Sequence, residues 1–222
     1  MMKNFCSLLI IFCSLIANAS DKRDDIDHLM ESFIECDSRF FSEIALHKKS
    51  LEDYAEVQNI DQSQAYIVVP DRNKTNANHH QFTTPIYYLS LKITGYYDSA
   101  LKLGKYGDYY FWGFIIDNTV EEIKTAFNTV VWREMEKELL YTANTKIHYN
   151  NDPLDVWHDN ANMMIGVKTL PASGTVEKLL LLEKSPEMTL LVCSVQGFFP
   201  PKLLQTIRPD IKLNSIDSNN AH

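Results

Sequence analysis

Acid–base chemistry has one obvious candidate stretch. Asp152, Asp155, His158 and Asp159 surround Trp157. An imidazole held by a carboxylate can serve as a general base. Yet no serine stands in a Gly-x-Ser-x-Gly elbow, and no glycine-rich phosphate loop follows a strand pattern. Without a nucleophile the stretch reads first as a loop around a packed tryptophan. Glu134, Glu136 and Glu138 alternate, which on a strand would put three carboxylates on one face. Carboxylates hydrolyse glycosides when they oppose each other about 5–9.5 Å apart across a cleft. Arg133 and Lys137 are interleaved here, which favours a solvated edge strand. His79 and His80 are adjacent in a polar stretch, and such neighbours rarely converge on one ion. Asp71–Ala77 lacks the turn glycine and terminal glutamate of a calcium loop. No metal and no cofactor are implied.

Cysteine chemistry is more informative. Cys6 and Cys13 fall in Met1–Ala19, which is expected to be removed as a signal peptide, and that leaves Cys36 and Cys193. An even pair in an oxidising compartment usually joins. The alternative is two separate buried thiols, which pack as small hydrophobes. Both have apolar neighbours, Phe33 and Phe40 near one, Leu191 and Val195 beside the other. A disulfide from the first long helix to the last strand is expected.

Ten aromatic residues lie between Tyr87 and Phe114, in a chain with 3 Trp, 11 Tyr and 11 Phe. Successive strand residues face opposite sides. Pairs such as Tyr96-Tyr97 and Tyr109-Tyr110 therefore cannot all enter one core. Tyr and Trp combine rigid area with a polar tip, which suits recognition. Tyr88, Tyr97, Tyr106, Tyr110 and Trp112 are the candidate binding face. The plain alternative is cross-strand pairing that only stabilises a sheet.

These residues need elements to hold them. Met1–Ala19 has a basic start, an apolar run and an Ala17-Asn18-Ala19 end, the parts of a signal peptide. Residues 20–214 are expected as one domain, and 215–222 as a flexible tail. Asp24 to Ala45 has the spacing of a single amphipathic helix, with Cys36 on its apolar stripe. A shorter helix follows from Ser50. Ala65–Val69 is a strand, and Asp71 to Thr84 an exposed loop. Ile86 to Leu103 suits one long strand bent near Gly95. Gly104–Asp108 turns it into a return strand, Tyr109 to Ile116. Asn118 or Thr119 caps a helix through Val120, Ile123 and Phe127. Trp132–Tyr141 fits strand or helix. Strands are expected at Met163–Leu170, Val176–Glu183 and Thr189–Val195, and a helix from Pro200-Pro201 to Ile207. Helices flanking runs of strands make an α+β fold: a mainly antiparallel sheet, an N-terminal amphipathic helix, and one or two further helices packed on it.

Hydrophobic residues at 45% and charged residues at 23% exclude a disordered chain. A net charge of −8 speaks against nucleic acid, whose phosphates need clustered Lys and Arg. The leader's apolar run is short for a bilayer span, so no stable membrane insertion is expected after cleavage. Asn73-Lys74-Thr75 is a glycosylation sequon, relevant only in a eukaryotic secretory pathway. The expected location is periplasmic or secreted. The expected function is an exported, non-catalytic protein-binding module, of the inhibitor or immunity-protein kind that acts against a toxin or hydrolase. Its acidity favours a basic partner. The alternative is a cell-envelope hydrolase of carbohydrate or peptide with a Glu/His/Asp site.

Overall fold

The structure, a computed structural model, describes residues 23–161 and 170–212. The expected signal peptide, the tail and nearly all of the 163–170 strand lie outside these residues. The fold is α+β, with eight antiparallel strands in the main sheet. Three of them form a meander: β3 (His79–Tyr88), β4 (Leu91–Lys102) and β5 (Asp108–Ile116). Another runs β6 (Arg133–Glu136), β7 (Leu140–Tyr149), β9 (Thr175–Lys184) and β10 (Thr189–Gly197). The order is β3-β4-β5-β10-β9-β7-β6, and the short β8 (His158–Asp159) pairs with β7. β5 and β10 therefore join the two halves, in register from Thr189 opposite Ile116 to Gly197 opposite Asp108. A two-stranded sheet, β1 (Val57–Asn59) and β2 (Ala65–Ile67), lies apart.

The expected helix over 24–45 is two helices. Helix α1 is described over 23–33, and α2 is Arg39–Leu46. The break is at Cys36, whose φ of 54° is left-handed and ends α1. The Asp37 carboxylate then accepts the Arg39 backbone N–H at 3.0 Å, which restarts the chain. The apolar spacing survives because both segments face one core, through Ile26, Leu29, Met30 and Phe33, then Phe40, Phe41 and Ile44. The helix expected from Ser50 is the single turn α3, Lys48–Leu51, and Val57 belongs to β1. Thr119 caps α4 (Val120–Ala126) through a capping box with Glu122. Pro201 opens α5, Pro201–Ile207. Both bury one side, Val120 and Ile123 in α4, Leu203, Leu204 and Ile207 in α5.

Three strand expectations also change. β3 begins at His79, so the exposed loop ends there rather than at Thr84. The long strand is two strands joined at Leu89-Ser90. The bend near Gly95 is present as a register shift between Ile93 and Gly95 opposite β5. A Cβ on Gly95 would come within 2.6 Å of the His80 carbonyl oxygen, so the strands can approach only at glycine. Trp132–Tyr141 resolves into β6, a turn and the start of β7.

Cys36 and Cys193 are joined, with Cα atoms 5.2 Å apart and a separation of 157 positions in sequence. The bridge fastens the end of α1 to the middle of β10. Nearby, a buried ionic network ties loops to the sheet. The Arg208 guanidinium contacts Asp98 at 3.0 Å and Asp210 at 2.8 Å, and Arg72 contacts Asp98 at 3.3 Å and Asp210 at 2.7 Å. The Trp112 ring lies 4.8 Å from the Arg208 charge centre.

Candidate functional site

The aromatic hairpin is mostly core. Trp112, Tyr110 and Tyr88 are buried, at 0%, 3% and 9% exposure. Trp112 lies among Phe41 and Arg208, Tyr110 meets Phe199 at 5.5 Å, and Tyr88 meets Phe127 at 5.5 Å. These three cannot belong to an exposed face. Tyr97 is half-buried and packs beside Leu179, Leu181 and Val192, a smaller apolar cluster apart from the main core. That second cluster takes the side chains of Tyr97 and Phe111, while their neighbours Tyr96 and Trp112 enter the main core; Tyr109 and Tyr110 are both buried as well. Of the five candidates, only Tyr106 is fully in the open.

Burial leaves a mark on their acidity. The Tyr110 phenol is pushed up to about 12, by its burial first and then by the charge of Asp108. Tyr96, wholly buried, is raised well above the ordinary phenol range by desolvation, with Asp98 adding to it. Both rings stay neutral at any physiological pH.

The hydrolytic candidates are not gathered. His158 is exposed; its Nε2 lies 3.0 Å from an Asp152 carboxylate oxygen and its ring is 5.6 Å from Tyr149. It pairs across from Ile147, whereas Glu134 pairs across from Tyr141. Six residues along β7 put roughly 20 Å between those positions. Glu134 accepts the Glu138 N–H and the Tyr141 hydroxyl, which together hold its carboxyl below the usual range. Glu138 lies in the turn after β6 with φ of 58°, so the three glutamates do not line one strand face. His79 and His80 are successive residues of β3 and so point to opposite faces. Among the described residues, no group of three or more His, Cys, Asp or Glu side chains could hold a metal ion.

The uncovered side chains lie elsewhere. At the β3–β4 turn Tyr87 is 65% exposed and Leu89 55%. Leu89 has φ of 51°, a conformation that suits Gly or Asn and strains a bulky residue. Its surroundings enforce the turn: the Asn118 carboxamide accepts the Lys92 N–H at 2.7 Å and donates to the Ser90 carbonyl at 3.4 Å. Asp27 and Glu31 of α1 lie near enough to act on Tyr88, whose phenol is raised by burial and then by those two charges. Glu31 is exposed, as is Asp24 on the same helix. The turn thus carries two large open side chains next to an acidic helix.

No protein-family model, curated protein or solved structure matches this chain.

The site therefore rests on its own geometry. Sequence patterns pass over Leu89 because Tyr87-Tyr88-Leu89-Ser90-Leu91 contains no Gly, Pro, Asn or Asp to announce a turn. The signal that would have found it is length: Ile86 to Leu103 is far longer than the usual strand of about five or six residues.

Proposed function

We propose that this protein is an exported, non-catalytic binding module. It presents the β3–β4 turn and the acidic face of α1 to a basic partner protein, in the manner of a periplasmic inhibitor or immunity protein. The observation that carries this reading is Leu89. A leucine held open at positive φ costs on the order of 1–2 kcal/mol of backbone strain. Strain of this kind collects where a side chain is kept for contact rather than for the fold. Tyr87 beside it has the size and polar tip of an interface anchor. Asp27 and Glu31 supply charge that steers a basic surface towards the turn. The crosslink between Cys36 and Cys193 supports export, because such bonds persist in oxidising compartments.

The experiment is site-specific crosslinking in the native host, with a photoreactive residue at Tyr87. One dominant protein adduct is expected, basic in composition, and lost in Leu89→Asn and in Asp27→Lys/Glu31→Lys. Absence of any adduct, or an adduct indifferent to both variants, overturns the proposal.

A further inference from the structure

Far from that turn, the opposite end of β4 carries a second surface. β4 spans twelve residues, about 40 Å at roughly 3.3 Å each. Past its end the chain makes the 3₁₀ turn Gly104–Tyr106 and returns as β5. All six residues from Leu101 to Tyr106 are exposed. Three are large and apolar: Leu101 at 43%, Leu103 at 46% and Tyr106 at 44%. Two of the others are Lys102 and Lys105, and the Lys105 ammonium lies 5.0 Å from the Tyr106 ring centre. No acidic residue occurs among the six, in a chain whose net charge is −8. The next acidic residue along the chain, Asp108, starts β5 across from Lys102 and accepts the Tyr110 hydroxyl at 3.4 Å.

The shape of this tip limits what it fits. Gly104 has φ of 59°, and a Cβ built there would meet nothing within 4 Å. A hollow beside the turn is lined by Gly104, Gly107 and Asp108 with Asn150, Gly197 and Pro200, whereas Leu101, Leu103, Lys105 and Tyr106 lie outside it, on the open side of the tip. Apolar residues on a projection, edged by lysines and an aromatic ring, match a medium that yields to them and bears negative charge. Lipid interfaces have both properties. Tyr and Lys are the residues that settle at the headgroup level, while leucines enter the acyl boundary.

We propose that the 101–106 tip is a reversible contact for an anionic lipid surface, independent of the partner contact at the β3–β4 turn. No described helix is long and apolar enough to cross a membrane, and none is needed for a contact of this depth. With the tip in the headgroups, β4 would stand the acidic turn away from the anionic surface.

The test uses the protein recovered from the export compartment and sedimentation with vesicles. One set contains phosphatidylethanolamine and phosphatidylglycerol, the other phosphatidylcholine alone. Binding to the phosphatidylglycerol set is expected, weakening at high salt. Leu101→Ser/Leu103→Ser should lower partitioning by about tenfold or more. Lys102→Gln and Lys105→Gln should each lower it roughly fivefold. Leu46→Ser, at an open leucine on α2, should leave it unchanged, and unaltered melting of all variants confirms their folding. Failure to bind phosphatidylglycerol vesicles overturns the proposal. So does equal binding to phosphatidylcholine, or binding that the tip variants do not reduce.

Discussion

Removing the crosslink in a Cys36→Ala/Cys193→Ala variant should cost much of the molecule's stability. The two positions are 157 residues apart, and loop-entropy arithmetic for that closure gives about 5 kcal/mol at 25 °C. Domains are typically stable by only about 5–15 kcal/mol, so this is a third or more of the whole. For a chain of this length each kcal/mol moves the melting point by about 2–4 °C, which predicts a drop of roughly 10–20 °C. Truncation to alanine removes one sulfur at each site and leaves small voids, a lesser effect. Thermal melting followed by circular dichroism reads the shift directly. Both positions are almost wholly inaccessible, at 1% and 0% exposure, so a reductant should reach the bridge only through unfolding. The reduction rate should then track the unfolding rate as denaturant is added. A melting point within about 3 °C of the parent, or two thiols that react at once in the native oxidised protein, would refute the reasoning.

Four further outcomes follow from buried ionisable groups. Arg208→Met leaves Arg72 alone to balance the buried Asp98 and Asp210 carboxylates and should lose about 3–5 kcal/mol in urea unfolding. Burial alone would raise the Asp210 carboxyl, but Arg208 and Arg72 outweigh it and hold it below its ordinary value. Its contribution is present above the unfolded pKa of about 4 and lost as pH falls through the lower folded value. Asp210→Asn should therefore flatten the acid limb of the stability profile. The Asp98 carboxyl is instead raised, because its burial outweighs the pull of Arg208 and Arg72, so Asp98→Asn should cost less than Asp210→Asn at neutral pH. At the alkaline end, Tyr110 has a folded pKa of about 12. Stability should fall as pH rises from about 10, the unfolded value, towards that figure. Tyr110→Phe should remove that share of the decline, measured by urea unfolding across the range.

Where local chemistry and tertiary packing agree, residue patterns foretell the structure well. Thr119 with Glu122 three residues on is a cap in sequence and in space. Gly104 and Gly107 mark the β4–β5 turn, and the apolar settings of Cys36 and Cys193 anticipate their bond. Where the two disagree, the patterns mislead. Cys36 keeps the helical stripe continuous while its backbone turns left-handed, so one helix is read where there are two. His79–Thr84 looks like a loop because β3 is an edge strand with much of its length open to water. The aromatic run suggests a surface because its density exceeds what one sheet face can bury. The second apolar cluster joins Leu179, Leu181 and Val192 of the β9–β10 pair to Tyr97 of β4 and Phe111 of β5, a union of remote segments with no local signature. The open positions Leu89, Leu101 and Leu103 are ordinary core residues by type. Only the backbone around them tells that they are displayed.

The strand order also governs when the molecule can exist at all. β10, the last of the described strands to be made, lies between β5 and β9 in the middle of the sheet. Until it arrives, the early meander has no neighbour at β5, and the late one lacks its link to it. A chain emerging from a ribosome or a translocation channel, amino end first, can form hairpins but cannot close the sheet or the bridge. Pairings between such remote segments are slow to find. Completion is thus an all-or-nothing event that waits for the carboxyl-terminal residues, and chains truncated before Thr189 should be degraded rather than accumulate. The same delay leaves the Cys36 thiol without its partner until β10 has been made.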